Sequence, residues 1–109
     1  MQEYIQTIDK LEEALSYLKA QSAVAVDTET TGLDFITDKI LLIQVGNEFN
    51  QYVFDVNSLG SDIYPLLDWM KNKEVVKVFH NAKFDYSFFK TNFDVELENI
   101  RCTMVANQL

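Results

Sequence analysis

Basic residues are scarce in this sequence: nine Lys and Arg stand against 17 Asp and Glu, a formal net charge of −8. Tight nucleic-acid binding draws on neutralised phosphates and released counterions, so this balance excludes strong metal-free binding to DNA or RNA. It leaves room for an enzyme that meets phosphates through divalent cations. There is one cysteine, Cys102, so no internal disulfide can form, and a reducing compartment, the cytoplasm, is the simplest home. Three glycines and one proline exclude collagen-like and low-complexity chains and argue against a loop-rich scaffold. Long apolar runs are missing as well. The longest, ILLIQV at Ile40–Val45, is far too short to span a bilayer, so no membrane partner is expected. The start, MQEYIQTIDK, has no basic segment followed by an apolar one and does not read as a secretory signal.

What is present fits one globular domain over residues 1–109. Apolar residues make up 48% and charged residues 24%, and eight Phe and five Tyr supply the bulk of a core. Ile8, Leu11, Leu15 and Leu18 fall at helical spacing, which predicts an amphipathic helix over residues 8–20 with Thr7 as N-cap. Ala23–Val26 reads as a buried strand closed by Thr31-Gly32, Ile40–Val45 as a second, and Tyr52–Phe54 as a third. These three follow one another too closely for parallel crossovers, so they form an antiparallel meander. A helix carrying Ile63, Leu66, Leu67 and Met70 is expected next, capped by Ser61 or Asp62, with Pro65 in its first turn. Val75–Phe79 is a fourth strand, reached by a right-handed parallel crossover. Asn81 then caps a helix to about Lys90, a fifth strand is expected near Val95–Ile100, and Thr103 opens another helix. Met104, Val105 and Leu109 begin an apolar face with no stop signal after it, as if the sequence ended inside an element. The fold class is α/β with a mixed sheet.

The chemistry gathers in two places. Asp27 and Glu29 lie two apart at the end of the first strand, so both carboxylates project to one face. Asn81 and Asp85 lie four apart, on one face of the helix after the fourth strand. If those two strands are neighbours, Asp85 can approach the other acids. Two unit charges ~4 Å apart repel by about 4 kcal/mol at an effective dielectric near 20, so such a cluster takes up protons or cations. Oxygen-only ligands suit hard ions such as Mg²⁺ or Mn²⁺. A pair of such ions ~3.5–4 Å apart activates water and stabilises a leaving oxygen, which points to phosphodiester hydrolysis.

At these residues the chain resembles a known family. DTETTGLD at 27–34 and HNAKFDYSFF at 80–89 look like the first two motifs of the DEDD superfamily of 3′–5′ exonucleases, which includes ribonuclease D and the proofreading domains of family A DNA polymerases. The resemblance implies an RNase H-like fold, here incomplete at the C-terminus, and a single-stranded DNA or RNA 3′ end as substrate. It implies that Asp27 bridges two Mg²⁺ or Mn²⁺ ions, that Glu29 ligates the nucleophile-side ion and that Asp85 holds the second, partly through water. It further implies that Asn81 positions the substrate near the scissile phosphate and that Leu33 wedges against the terminal base. Phe84 would pack near the terminal nucleotide, and the backbone around Thr30 would touch the 3′ end.

The match has a gap. The family's third motif, a Tyr or His followed by a fourth Asp, has no counterpart, and no Asp or Glu follows Glu98. The expectation is that a C-terminal remainder or a partner chain such as a polymerase supplies them, and that the 109 residues alone are impaired and prone to self-association. The alternative is a catalytically inactive nuclease-like binding module, or a chain completed by a partner subunit. Elsewhere the residues read as structure. His80, the lone histidine, is expected to hydrogen-bond at a strand end, Phe88, Phe89 and Phe93 to build core, and Lys83 and Lys90 either to lie on a solvated helix face or to meet phosphate. Cys102 has no partner arrangement for a nucleophile.

Overall fold

The computed structural model describes residues 1–103. Six strands form one sheet in the order β1-β4-β3-β2-β5-β6. β2 (Ala23–Thr30), β3 (Ile40–Gly46) and β4 (Gln51–Asp55) pair antiparallel in chain order, which is the expected meander. β5 (Val76–Phe79) then joins β2 in parallel, so the two strands that carry the acidic motifs are direct neighbours. β6 (Ile100–Cys102) joins β5, also in parallel.

The first helix follows its sequence signals. α1 (Ile8–Leu18) buries Leu11, Ala14, Leu15 and Leu18, and the Thr7 hydroxyl accepts from the Lys10 N–H at 3.4 Å. Before it lies β1 (Gln2–Ile5), parallel to β4, which the sequence reading does not foresee. Only Ile5 of its four residues is buried, so no apolar alternation announces it.

Three further expectations need correction. Ser61 and Asp62 do not cap the third helix. They sit in a 3₁₀ turn (Gly60–Ile63), and α3 (Tyr64–Met70) starts after it with Pro65 in its first turn and no side-chain cap. The capping carboxylate acts earlier: Asp55 accepts from the Ser58 N–H at 3.1 Å and opens a one-turn helix, α2 (Val56–Leu59), which Gly60 ends at φ +56°. Second, α4 (Ala82–Phe93) runs past Lys90 to a left-handed cap at Asp94. Third, the strand expected near Val95–Ile100 begins only at Ile100. Asp94 and Asn99 hold φ of 55° and 57°, which a strand cannot contain, and Val95 and Leu97 are buried as irregular chain. Thr103 lies in a bend, and the helix expected from it, with Met104, Val105 and Leu109, falls outside the described residues.

The core forms between the helices and one sheet face. Ile5, Val24, Val26, Ile43, Val45, Phe54 and Phe79 are buried there against Leu11, Leu18, Phe88 and Phe89. Each such side chain contributes roughly 1.5–3 kcal/mol by leaving water. Tyr17 of α1 meets Tyr52 with ring centroids 5.9 Å apart, and Phe89 of α4 meets Phe79 edge-on at 6.5 Å. Phe88 and Phe89 are core, as expected, and Phe93 packs against Phe89 at 6.1 Å. The opposite face presents Ala23, Ala25, Asp27 and Glu29 of β2 to solvent. Among the described residues no helix is long and apolar enough to cross a membrane.

Candidate active site

Strand alternation decides how the first motif is displayed. Along β2, Val24, Val26 and Thr28 face the helices, while Asp27 and Glu29 point to the open side. The pairing of β2 with β3 shifts register between Glu29 and Thr30. A shift of this kind bends a strand and re-aims its side chains. The Asp27 carboxylate accepts from the Thr28 N–H at 2.9 Å. Glu29 lies in a shallow depression of the open face with Tyr4, Leu42, Gln44 and Val53.

Asp85 is in the first turn of α4, where the helix dipole favours an anion, and it is 4% exposed. Its Oδ1 accepts from the Thr28 hydroxyl at 2.5 Å. Burial pushes its carboxyl up to about 6, and the like charge of Asp27 adds to the rise, while the Thr28 hydrogen bond and nearby His80 oppose it. Among the described residues no three His, Cys, Asp or Glu side chains converge closely enough to hold a metal ion. Asp27 and Glu29 thus share the open face of β2, while Asp85 is buried on the covered side and joined to β2 through Thr28.

The donor set nonetheless suits a hard cation. It consists of carboxylate oxygens, and Asp85 Oδ2 carries no hydrogen bond among the described residues. Trp69 Nε1 is the one sealed side-chain polar atom without a partner among them, so Oδ2 meets solvent. Asp27 and Glu29 are exposed on the open face.

The surrounding candidates divide by exposure. Asn81 occupies the N-cap position of α4, but its side chain makes no capping bond. Its ψ of 81° departs from the extended value of 156° at the working cap Thr7, which corrects the expected capping role and leaves the amide uncommitted. Phe84 is half-buried and packs on Phe88 with centroids 4.8 Å apart. Leu33 is 85% exposed on the loop between β2 and β3. That loop is firmly tied. Asp38 accepts from the Thr31 hydroxyl at 2.9 Å and the Asp34 N–H at 3.0 Å, and the Thr91 hydroxyl donates to the Phe35 carbonyl at 2.5 Å. A Cβ on Gly32 would meet the Asp38 carboxylate, which would have to shift to make room. The Thr30 hydroxyl donates to the Gly32 carbonyl at 2.6 Å.

The end of β6 grips the turn that carries the second motif. The Thr103 N–H donates to the Phe79 carbonyl at 2.8 Å, and His80 Nδ1 lies 3.1 Å from the Thr103 hydroxyl. The Cys102 thiol accepts from the Ala82 N–H and donates to the His80 carbonyl, both at 3.4 Å. His80 thus hydrogen-bonds at the strand end as expected. The grip of Cys102 and Thr103, like the role of Thr28, is not foreseen from sequence. The available signal for Thr28 was its place between two outward acids, which turns it toward the helix once β2 and β5 are neighbours. An open groove of ≈ 640 Å³ runs beside these residues, lined by Ala25, Asp27, Gln44, Val78, His80 and Thr103 among others.

Comparison with known proteins places the chain in context. A 3′–5′ exonuclease family model matches residues 2–109. DNA polymerase I of Aquifex aeolicus is 36% identical over 86 residues, covering 79% of this chain and 14% of the polymerase. Ribonuclease D of Bartonella henselae is 38% identical over 80 residues, covering 73% of this chain and 20% of that enzyme. The chain thus spans a fifth or less of these relatives' lengths. Among solved structures, the catalytic core of RRP6 from Trypanosoma brucei superposes with a TM-score of 0.84 at 21% identity, covering 94% of this chain and 29% of that one. The fold is shared with that catalytic core.

Proposed function

The chain belongs to the 3′–5′ exonuclease family, and from that premise we propose that it carries the first two motifs of a metal-dependent exonuclease site that hydrolyses DNA or RNA from the 3′ end to nucleoside monophosphates. The observation that carries this reading is the hydrogen bond from Thr28 to Asp85, which joins the strand of the first motif to the helix of the second where β2 and β5 are neighbours.

In this reading Asp27, Glu29 and Asp85 would be the residues that hold Mg²⁺ or Mn²⁺, and the bound ions would supply water activation and stabilisation of the leaving oxygen. The protein's own groups do the rest. The uncommitted Asn81 amide positions the substrate near the scissile phosphate. Leu33, exposed on a loop pinned by Asp38 and Thr91, wedges against the terminal base. Phe84, braced by Phe88, packs near the terminal nucleotide, and the backbone around Thr30 meets the 3′ end. The cations also resolve the charge problem. An acidic chain can hold a polyanion when metal stands between them.

The fourth acid of the family pattern would come from a C-terminal remainder or a partner chain such as a polymerase, and full activity is assigned to that assembly. The experiment is digestion of a 5′-labelled single strand by the full-length natural protein, with and without Mn²⁺ or Mg²⁺. The expected result is metal-dependent shortening from the 3′ end, reduced by about a thousandfold in Asp27→Ala, which corresponds to about 4 kcal/mol of transition-state stabilisation. An unchanged rate in Asp27→Ala overturns the catalytic assignment. That no three acids converge on an ion among the described residues favours a second reading, a nuclease-like module that binds a nucleic-acid end without cutting it. Retention of the strand with no shortening at any metal concentration would select it.

A further inference from the structure

We propose that Thr28 is a positioning residue for Asp85: its hydroxyl fixes one carboxylate oxygen so that the other is presented to the cation. The inference rests on the functional reading above and extends it to a residue outside the expected ligand set. Three observations support it. Strand alternation turns Thr28 away from Asp27 and Glu29 and toward α4. Its hydroxyl donates to Asp85 Oδ1 at 2.5 Å and makes no other hydrogen bond among the described residues. Asp85 in turn is buried, and Thr28 is the one hydrogen-bond donor to its carboxylate among those residues.

The geometry divides the carboxylate. A buried aspartate has little rotamer freedom, and a hydrogen bond to Oδ1 fixes the remaining twist of the carboxylate plane. Oδ2, free of hydrogen bonds and reaching solvent, then points in a constant direction. Partners of this kind, which orient a metal ligand without touching the metal, typically cost about tenfold to a hundredfold in metal affinity when lost. The bond also ties the two motifs directly, because it joins β2 to α4 at the position where both must face one ion. A valine in place of Thr28 keeps the shape and the β-branch but cannot donate. A serine keeps the donor and loses only a methyl group.

The test compares Thr28→Val, Thr28→Ser and Asp27→Asn in the full-length natural protein. Two quantities are read: the Mn²⁺ concentration that half-saturates the rise in melting temperature without nucleic acid, and the Mn²⁺ concentration that half-saturates hydrolysis. Thr28→Val should raise both by about tenfold or more while turnover at saturating Mn²⁺ falls much less, and Thr28→Ser should stay near the unaltered protein. If Thr28→Val titrates with Mn²⁺ as the unaltered protein does while Asp27→Asn loses the response, the positioning role is overturned and the metal site stands. If Asp27→Asn also titrates unchanged, the functional reading fails instead. Should Thr28→Val melt too low to measure, Thr28→Ala against Thr28→Ser decides. Rescue by serine alone supports the role, and equal loss in both overturns it.

Discussion

On the helix-covered face of the sheet, Val24, Val26, Ile43, Val45, Phe54 and Phe79 are buried. On the other face β2 holds Ala23, Ala25, Asp27 and Glu29 in solvent. The same strand serves both faces, since alternation separates the residues that hold the fold from the acids assigned to chemistry. Asp85 is the exception that joins them. It is a carboxylate on the covered side, buried among core helices, and its raised pKa records the cost of placing it there. The lesson is that this fold can lose an open-face acid cheaply and a covered-face side chain only dearly, with Asp85 between the two.

That contrast can be broken in two ways, the larger first. Phe89, fully buried against Phe79 and Phe93, should lose about 3–5 kcal/mol of stability on Phe89→Ala. Asp27→Ala on the open face should change stability by less than about 0.5 kcal/mol. Denaturant unfolding at fixed low metal measures both, and equal losses would erase the distinction between the faces.

Asp85→Asn sharpens the contrast at the boundary. Burial holds the Asp85 carboxyl at about 6 in the fold against its ordinary value of 3.8, so the folded state binds the proton more tightly than the unfolded state. Above about pH 6 the charge is present in both states and costs the fold on the order of 1–3 kcal/mol. The cost disappears as pH falls from about 6 toward 3.8. Without metal, Asp85→Asn should therefore be the more stable protein at pH 7, and its advantage should shrink on acidification. An advantage that grows toward low pH would contradict the origin given to the shift. With Mn²⁺ present the order should reverse, because a ligand for the folded state stabilises the unaltered protein by mass action.

Much of this arrangement can be read from the residues. The meander follows from strands too close for crossovers, and the parallel pairing of β2 with β5 follows from the intervening helical stretch. Those two inferences already bring the strands that lead into the two motifs side by side. Other features have no local signal. β1 carries one buried residue in four, so its place depends on β4 and not on its own pattern. Asp55 caps where Ser61 and Asp62 look equally able, because the left-handed Gly60 divides the helical region. Asn81 has a capping residue's chemistry and position, but its backbone angle takes the amide out of that role. The division of labour between Asp27, exposed, and Asp85, pinned by Thr28, appears only once α4 is seated on the sheet.

The proposed hydrolysis requires Asp27, Glu29 and Asp85 to hold divalent cations. Anomalous X-ray scattering from crystals of the protein soaked in Mn²⁺ tests it most directly. The predicted result is a manganese peak at about 2.1 Å from carboxylate oxygens of Asp27 and Asp85, with the Glu29 side chain turned in from the open face. Manganese bound elsewhere on this acidic surface, with Glu29 still beside Tyr4 and Leu42 and the Asp85 carboxylate unliganded, would contradict it.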